Sequence, residues 1–201
     1  MTKPQLVLDI GGVLATNLSP LLWQLLAIEA AVSEEHLYSA YKREISESLW
    51  RGHLSEEQFW EWIISHVPTL NKVQGRAFVD MSLKPLPALA YIPEWQQLAD
   101  IHILSNHLSA WVDPLLSTIR PFLNTITISS QIALKKPDPS IFESVISLLP
   151  LGSPVLFVDD QQTNLKQAVS HGWRTLLADD EGHWMNQVSM QLKQISHNQQ
   201  Q

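Results

Sequence analysis

Three carboxylates in this 201-residue chain stand directly after short apolar runs. Asp9 follows the run 6–8 and precedes a pair of glycines by one residue, while Asp159 and Asp160 follow the run 155–158. Short aliphatic runs that end at turn signals are typical of buried strands. Because ligands bind at the carboxyl ends of the strands in an open α/β sheet, we expect these acids to lie at a ligand-binding edge.

A hydroxyl and an amine lie between these acids in the sequence. A predicted strand ends at Ser105 and Asn106, and Lys136 stands before a proline. A lysine places a point charge at the end of a long stem, which suits the binding of an anion. Ser105 and Asn106 are also common turn formers, so on their own they would indicate only the end of a strand.

Strands that alternate with helices must position these side chains. From about residue 86 we predict strands over 101–104, 125–129, 155–158 and 174–177, helices over 108–117, 138–149 and 164–170, and a last helix from Trp184. This alternation favours an α/β fold, with a three-layer Rossmann-like core whose parallel sheet is covered by helices on both faces.

The segment 17–83 carries helix signals but no strand of its own, so we expect a helical unit inserted into a core made of 1–16 and 84–201. The signals are Ser19-Pro20 before a helix over 21–31, Ser33 before a helix that reaches Arg51, Gly52 at its end, a capping box at Ser55, and a weaker helix over 72–81.

The composition limits the possible classes of function. A formal net charge of −7 argues against nucleic-acid binding through a broad basic face. The absence of cysteine excludes disulfides, thiol catalysis and cysteine-bound zinc. No signal peptide or membrane-spanning stretch is visible, so we expect a cytoplasmic protein without a membrane partner. The sequence leaves the oligomeric state open, and we expect the polar tail 197–201 to fray.

Four motifs in order resemble the haloacid dehalogenase (HAD) superfamily, above all its phosphatase members with a small helical cap. The motifs are Asp9-Ile10-Gly11-Gly12-Val13-Leu14, Ile103-Leu104-Ser105-Asn106, Lys135-Lys136-Pro137-Asp138-Pro139-Ser140-Ile141-Phe142, and Phe157-Val158-Asp159-Asp160 with Asn164. The stretch 49–60 also resembles the cap helices of bacterial sugar-phosphate phosphatases in this superfamily. The resemblance spans almost the whole chain and implies that the helical unit is a cap domain.

The resemblance implies that Asp9 is a nucleophile, which attacks phosphorus and forms an aspartyl-phosphate. It also implies a Mg²⁺ site made by Asp9, Asp160 and the backbone carbonyl of Gly11, because Mg²⁺ prefers oxygen ligands and offsets the repulsion between carboxylates. Asp159 is either a further ligand or a second-sphere acid. Read alone, these acids could be turn or capping residues at strand ends.

The resemblance further implies that Ser105 hydrogen-bonds the transferring phosphoryl group. It implies that Lys136 neutralises Asp9 and the phosphoryl oxygens. The position directly before proline selects Lys136 over Lys135, which we expect to be solvated at the surface.

Several side chains have two possible roles. Asn106 either orients its loop or contacts the substrate, and Asn164 either orients Asp160 or caps its helix. Some tryptophans of the helical unit have a spacing that favours packing within the cap, although one of them could border the substrate; they are Trp50, Trp60 and Trp62.

Gly11 departs from most phosphatases of this superfamily, which carry at this position an aspartate that protonates the leaving group. Glycine keeps the carbonyl that a metal can use, so the metal site can persist while this proton shuttle is lost. Some sugar-phosphate phosphatases of the superfamily also show glycine here. The candidate replacement donors are Thr16, His53 and His107, with water or the substrate's own chemistry as the alternative.

The sequence therefore favours a HAD-like hydrolase, a Mg²⁺-dependent phosphatase of a small phosphomonoester such as a sugar phosphate. One alternative is a dehalogenase, which uses the same aspartate against carbon without a metal. The known dehalogenases carry an aromatic residue in place of Gly11 and an arginine soon after, and this chain has neither. The other alternative is a catalytically weak binding module, which Gly11 supports and the full set of Asp9, Ser105, Lys136 and Asp160 opposes.

Overall fold

The computed structural model describes residues 2–198 and contains a sheet of five parallel strands in the order β3-β2-β1-β4-β5. The strands are β1 (Gln5–Leu8), β2 (Asp100–Ser105), β3 (Leu123–Ile128), β4 (Val155–Asp159) and β5 (Arg174–Leu177). The predicted α/β fold with a parallel sheet is therefore confirmed. Because β1 pairs with both β2 and β4, Asp9 leaves the sheet between the ends of these two strands.

Helices cover both faces of the sheet. Before β2 lie α1 (Leu21–Ala30), α2 (Glu34–Glu44), α3 (Ser46–Trp50), α4 (Glu56–His66), α5 (Lys72–Ser82) and α6 (Ile92–Leu98). After β2 follow α7 (Ser109–Ile119), α8 (Ser129–Ile132), α9 (Pro139–Ile146), α10 (Gln162–Ser170) and α11 (Trp184–Asn198). Helix α11 includes the first two residues of the tail that we expected to fray, and 199–201 lie outside the described residues.

The strands alternate between two apolar layers, as strand geometry requires. Leu6 and Leu8 face a cluster that includes Trp95 of α6 and Val188 of α11. The intervening Val7 faces the other layer, where α9 and α10 supply the apolar side chains. Burial on both faces explains why the strands read as continuous apolar runs. None of the helices within 2–198 has the length and apolarity needed to cross a membrane.

Helices α1 to α5 surround an apolar cluster of their own, which lies beside the carboxyl end of the sheet through contacts with Leu108 and Trp111. Trp60 is buried in this cluster, so for this tryptophan the packing role is confirmed. We refer to residues 17–83 as the cap. The helix N-caps predicted at Ser33 and Ser55 are confirmed, since Ser33 accepts from the His36 N–H and Ser55 forms a capping box with Gln58.

Some predicted helix ends are wrong. Ser19 does not cap α1, because the helix begins after Pro20, which has no side-chain acceptor. The helix predicted to reach Arg51 breaks at Ile45, whose backbone leaves the helical region at φ −132° and ψ −15°. Helix α9 begins next to Asp138, as predicted, but ends at Ile146 rather than at 149. The Asp138 side chain makes no capping hydrogen bond, and its carboxylate binds Arg51 of the cap.

Two ion pairs join the cap to the loop that carries Lys136; the cap supplies the acid in one pair and the base in the other. Glu47 of α3 binds Lys135, and Arg51 binds Asp138. Arg51 also bonds Glu47 at 2.7 Å, so the four charges form one network. Lys135 was expected to be solvated, and this prediction is wrong because Glu47 approaches it from the cap.

Gly52 brings the cap into backbone contact with α8. Its φ of +70° lies in the left-handed region, as predicted for a helix end, and a Cβ at this position would overlap the carbonyl oxygen of Ser130. Gly152 has a similar φ of +72°, but a Cβ there would meet no atom within 4 Å.

Gly52→Ala is therefore expected to lower the free energy of unfolding by more than about 2 kcal/mol, because it adds a clash to the left-handed strain. Gly152→Ala is the matched control, because it introduces the left-handed strain without a clash, and it should lower the free energy of unfolding by about 1 kcal/mol. Urea unfolding of both variants measures the difference. Equal losses would show that the cap does not rest on Ser130 as described.

Candidate active site

Lys136 lies between two carboxylates at the carboxyl edge of the sheet. Its Nζ is 2.9 Å from Oδ2 of Asp9 and 2.6 Å from Oδ2 of Asp159, and its side chain is 1% exposed. Burial pushes the pKa of Lys136 down, but the two carboxylates outweigh burial and raise the pKa above its usual value. Lys136 is therefore a fixed positive charge in the interior.

Asp9 is oriented by neighbours on both of its oxygens. Its Oδ1 accepts hydrogen bonds from the Ser105 hydroxyl at 2.6 Å and from the Ile10 N–H at 2.7 Å, while Oδ2 faces Lys136. These partners hold the carboxylate in one rotamer, which suits a group that must meet a substrate in a defined direction. Ser105 comes from the end of β2, next to β1, as the sequence predicted for a common sheet edge.

Asn106 holds the backbone of Lys136. Its Nδ2 donates to the Lys136 carbonyl and its Oδ1 accepts from the Lys136 N–H, both at 2.9 Å. Two roles were considered for Asn106, and these hydrogen bonds correspond to the first, in which Asn106 orients a loop. The strand end of β2 thus positions a lysine that arrives from a distant part of the chain.

Asp159 is fully engaged by protein groups. Besides Lys136, it accepts from the Gln161 N–H at 2.8 Å and from Nδ2 of Asn164 at 2.9 and 3.0 Å. Both roles expected for Asn164 are therefore wrong, because its amide reaches Asp159 rather than Asp160 and Gln161 occupies the capping position of α10. Burial raises the pKa of Asp159, and Lys136 opposes that rise.

Asp160 differs from Asp159 in having a free oxygen. Its Oδ2 accepts from Nδ2 of Asn17 at 2.9 Å, whereas Oδ1 is buried without a hydrogen-bond partner among residues 2–198. Burial raises the pKa of Asp160. A buried carboxylate oxygen without a donor is unfavourable unless a cation or water completes it.

The carboxylates of Asp9, Asp159 and Asp160 each offer an oxygen within 4.8 Å of the others. Hard oxygen ligands at such separations suit a divalent cation such as Mg²⁺. The Oδ1 atom of Asp160 also suits a cation, because it is buried and accepts no hydrogen bond from the described residues. The residues present therefore fit a metal ion.

Asn17 is a site residue that the sequence reasoning missed. A Cβ on Gly11 would lie 2.6 Å from Asn17 Oδ1, so the amide occupies space beside Gly11 and bonds Asp160 from there. A polar residue in a loop gave no signal of this role. Gly12 is also constrained, since its φ is +67° and a Cβ would overlap Asp160, which agrees with the predicted tight turn.

His107 is the candidate proton donor that lies nearest this site. Its Nε2 would be 3.7 Å from a Cβ on Gly11, and its ring contacts Trp50 of the cap edge-on at 5.9 Å. Burial, together with the charge of Lys136, lowers the pKa of His107 to about 4. The imidazole is neutral at pH 7, so it does not offer the acidic proton that an imidazolium would.

The other two candidate donors lie elsewhere. Thr16 donates to the Ser82 carbonyl at 2.5 Å and accepts from the Lys84 N–H at 2.8 Å, so it ties together the two connections between cap and core. His53 is exposed in the turn after α3. Neither contacts the acids within the described residues.

Comparisons with known proteins agree with this geometry at the level of the fold. No family model matches the chain, and no curated protein matches it. Among solved structures, a HAD family enzyme from Bacteroides thetaiotaomicron has a TM-score of 0.80 at 18% identity, covering 92% of this chain and 98% of its own.

Two further solved structures give similar results. A HAD-like family hydrolase from Porphyromonas gingivalis has a TM-score of 0.76 at 18% identity, and the match covers 96% of this chain and 98% of that one. L-2-haloacid dehalogenase from Xanthobacter autotrophicus has a TM-score of 0.59 at 17% identity, and the match covers 87% of this chain and 76% of that one. The sheet order, the inserted helices and these similarities together show that the chain has the fold of the haloacid dehalogenase superfamily.

Proposed function

We propose that this protein is a Mg²⁺-dependent phosphatase that hydrolyses a small phosphomonoester through an aspartyl-phosphate at Asp9. The observation that carries the proposal is the pairing of Asp9 with buried Lys136, next to the unpartnered Oδ1 of Asp160. Support also comes from the structurally similar Bacteroides thetaiotaomicron enzyme, which has been solved as a complex with magnesium and inorganic phosphate.

Asp9 would carry out the first displacement. One of its carboxylate oxygens bonds to phosphorus while the ester P–O bond breaks, and the leaving oxygen takes its proton from water. A water molecule then attacks the aspartyl-phosphate, which releases phosphate and restores the carboxylate. Lys136 and the Ser105 hydroxyl, both within 3 Å of Asp9, would also stabilise the charge on the phosphoryl oxygens.

The cation would be held by Asp9, Asp160 and the backbone carbonyl of Gly11. When bound, Mg²⁺ supplies positive charge that offsets the repulsion among the carboxylates and the phosphate. Asp160 is the better ligand of the acid pair, since Asp159 already accepts hydrogen bonds on both of its oxygens. We therefore propose a supporting role for Asp159, which holds Lys136 in place.

The site lacks an acidic proton donor for the leaving group. Gly11 has no side chain, Asn17 cannot give up a proton, and burial keeps His107 neutral. Esters whose leaving group is already stable as an anion should therefore react best. This inference depends on the same geometry as the phosphatase proposal.

Asp9→Asn is expected to abolish Mg²⁺-dependent phosphate release from aryl and metabolite phosphates, because an amide is not a nucleophile. Asp180→Asn is the matched control, since this aspartate has the same side chain and is exposed. Phosphate release with and without EDTA is the measurement.

Different outcomes of this experiment separate the alternatives. Activity against 2-haloacids that survives EDTA would contradict the phosphatase proposal in favour of a dehalogenase. A wild-type protein that is inert toward a broad panel of phosphate esters with Mg²⁺ would favour a binding module. Equal loss in Asp9→Asn and Asp180→Asn would show that Asp9 has no special role.

The two neighbouring acids should differ in their effect on the metal. Asp160→Asn removes one charged ligand and is expected to weaken Mg²⁺ activation by at least about tenfold. Asp159→Asn should mainly lower the free energy of unfolding, because Lys136 loses a buried partner. Titration of activity with Mg²⁺ and urea unfolding measure the two effects. The reverse pattern would assign the metal to Asp159.

Gly11→Asp alone is expected to lower activity, because the new side chain displaces Asn17 from Asp160. In Gly11→Asp/Asn17→Ala the new carboxyl has room, and hydrolysis of an alkyl phosphate should rise at least about tenfold more than that of an aryl phosphate. The ratio of kcat/KM for the two esters measures this. An equal gain for both esters would contradict the missing-donor explanation.

A further inference from the structure

A cavity lies between the cap and Trp111 of α7. It holds about 100 Å³ of free space, within about 410 Å³ of empty volume that includes its open mouth. Its walls are largely aromatic, and a single cation lies among the lining residues. The aromatic lining residues include Trp23, Tyr38, Tyr41, Trp50 and Trp111, and the cation is Lys42.

The cavity adjoins the acids through residues that both places share. Trp50 forms one of its walls and also contacts His107, which in turn lies beside Gly11. Leu18, a second lining residue, directly follows the Asn17 that binds Asp160. The cavity therefore neighbours the acids through Trp50 and His107 on one side and through the Asn17–Leu18 step on the other.

Lys42 has no ion-pair or side-chain hydrogen-bond partner within residues 2–198. Every arginine and the other lysine of the cap has one: Arg43 with Glu44, Arg51 with Glu47, Lys72 with Glu57, and Arg76 with Glu56. Lys42 is exposed at the cavity while several aromatic rings border the interior. The free charge and the aromatic rings of the walls together favour a ligand with a ring and an anionic group.

Aromatic side chains make up much of the lining, beside the polar atoms that it also contains. Tyr41 is buried, and burial raises the pKa of its hydroxyl. A sugar with several hydroxyls would lose hydrogen bonds with water on entering such a space. Aromatic rings instead pack well edge-to-face or offset against walls of this kind.

We propose, on the basis of the phosphatase function above, that the cavity binds the leaving group of the substrate and that this group is an aromatic ring bearing a carboxylate. A closed cavity of about 150 Å³ can hold benzene. With less free space here, the ring would also occupy the open mouth, where its carboxylate meets Lys42. A phenolate leaves without needing a strong acid, which agrees with the missing donor at Gly11.

The test compares 4-carboxyphenyl phosphate with phenyl phosphate, so that both esters release a phenol. Wild-type protein should show the higher kcat/KM for the carboxylated ester. Lys42→Met is expected to lower the ratio of the two kcat/KM values by roughly threefold, the effect of one partly exposed ion pair. Lys166→Met, which removes an exposed lysine of α10, should leave the ratio unchanged.

A second measurement is independent of catalysis. Saturation-transfer NMR should detect binding of the product 4-hydroxybenzoate to wild-type protein and weaker binding to Lys42→Met. If esters are hydrolysed without preference and 4-hydroxybenzoate does not bind, the cavity proposal is overturned while the phosphatase function stands.

If no ester is hydrolysed but 4-hydroxybenzoate binds in a Lys42-dependent way, the cavity proposal stands as a binding site and the phosphatase function fails. Equal effects of Lys42→Met and Lys166→Met on the ratio would overturn the role of Lys42. Both lysines are exposed, so neither substitution is expected to prevent folding.

Discussion

A lysine buried between two carboxylates is the constraint on which the rest of the site depends. Lys136 lies between Asp9 and Asp159 in a place with almost no solvent, and removing Lys136 would leave two buried carboxylates without a counter-charge. The amide of Asn106 holds the backbone of Lys136, and the amide of Asn164 holds the carboxylate of Asp159. The ends of three neighbouring strands must therefore align, and this alignment places Asp160 with one oxygen free.

The same loop links the chemistry to the cap. Lys135 and Asp138 flank Lys136, and each is paired with a charge of α3. Partly exposed ion pairs contribute only about 0–1 kcal/mol each, so this contact between the cap and the loop is a weak one. The aromatic cavity with Lys42 is lined mainly by cap residues, so under the proposed function the cap would take part in substrate choice.

The sequence predicted what depends on chain order, and it failed where side chains choose among several partners. Asp9 and Ser105 could be placed because the ends of parallel strands share one edge. Asn164 could not be assigned to Asp159 rather than Asp160, because these adjacent acids differ only in direction. Asn17 and the partner of Lys135 could not be predicted, since each contact forms between segments whose approach only the folded chain defines.

The proposed function requires Asp9 to accept a phosphoryl group beside a divalent cation. Beryllium trifluoride mimics a phosphoryl group on a carboxylate, so ¹⁹F NMR can report the adduct directly. We predict bound ¹⁹F signals in the wild-type protein that require Mg²⁺ and are absent from Asp9→Asn. Bound signals that persist without Mg²⁺, or that are equally strong in Asp9→Asn, would contradict the account.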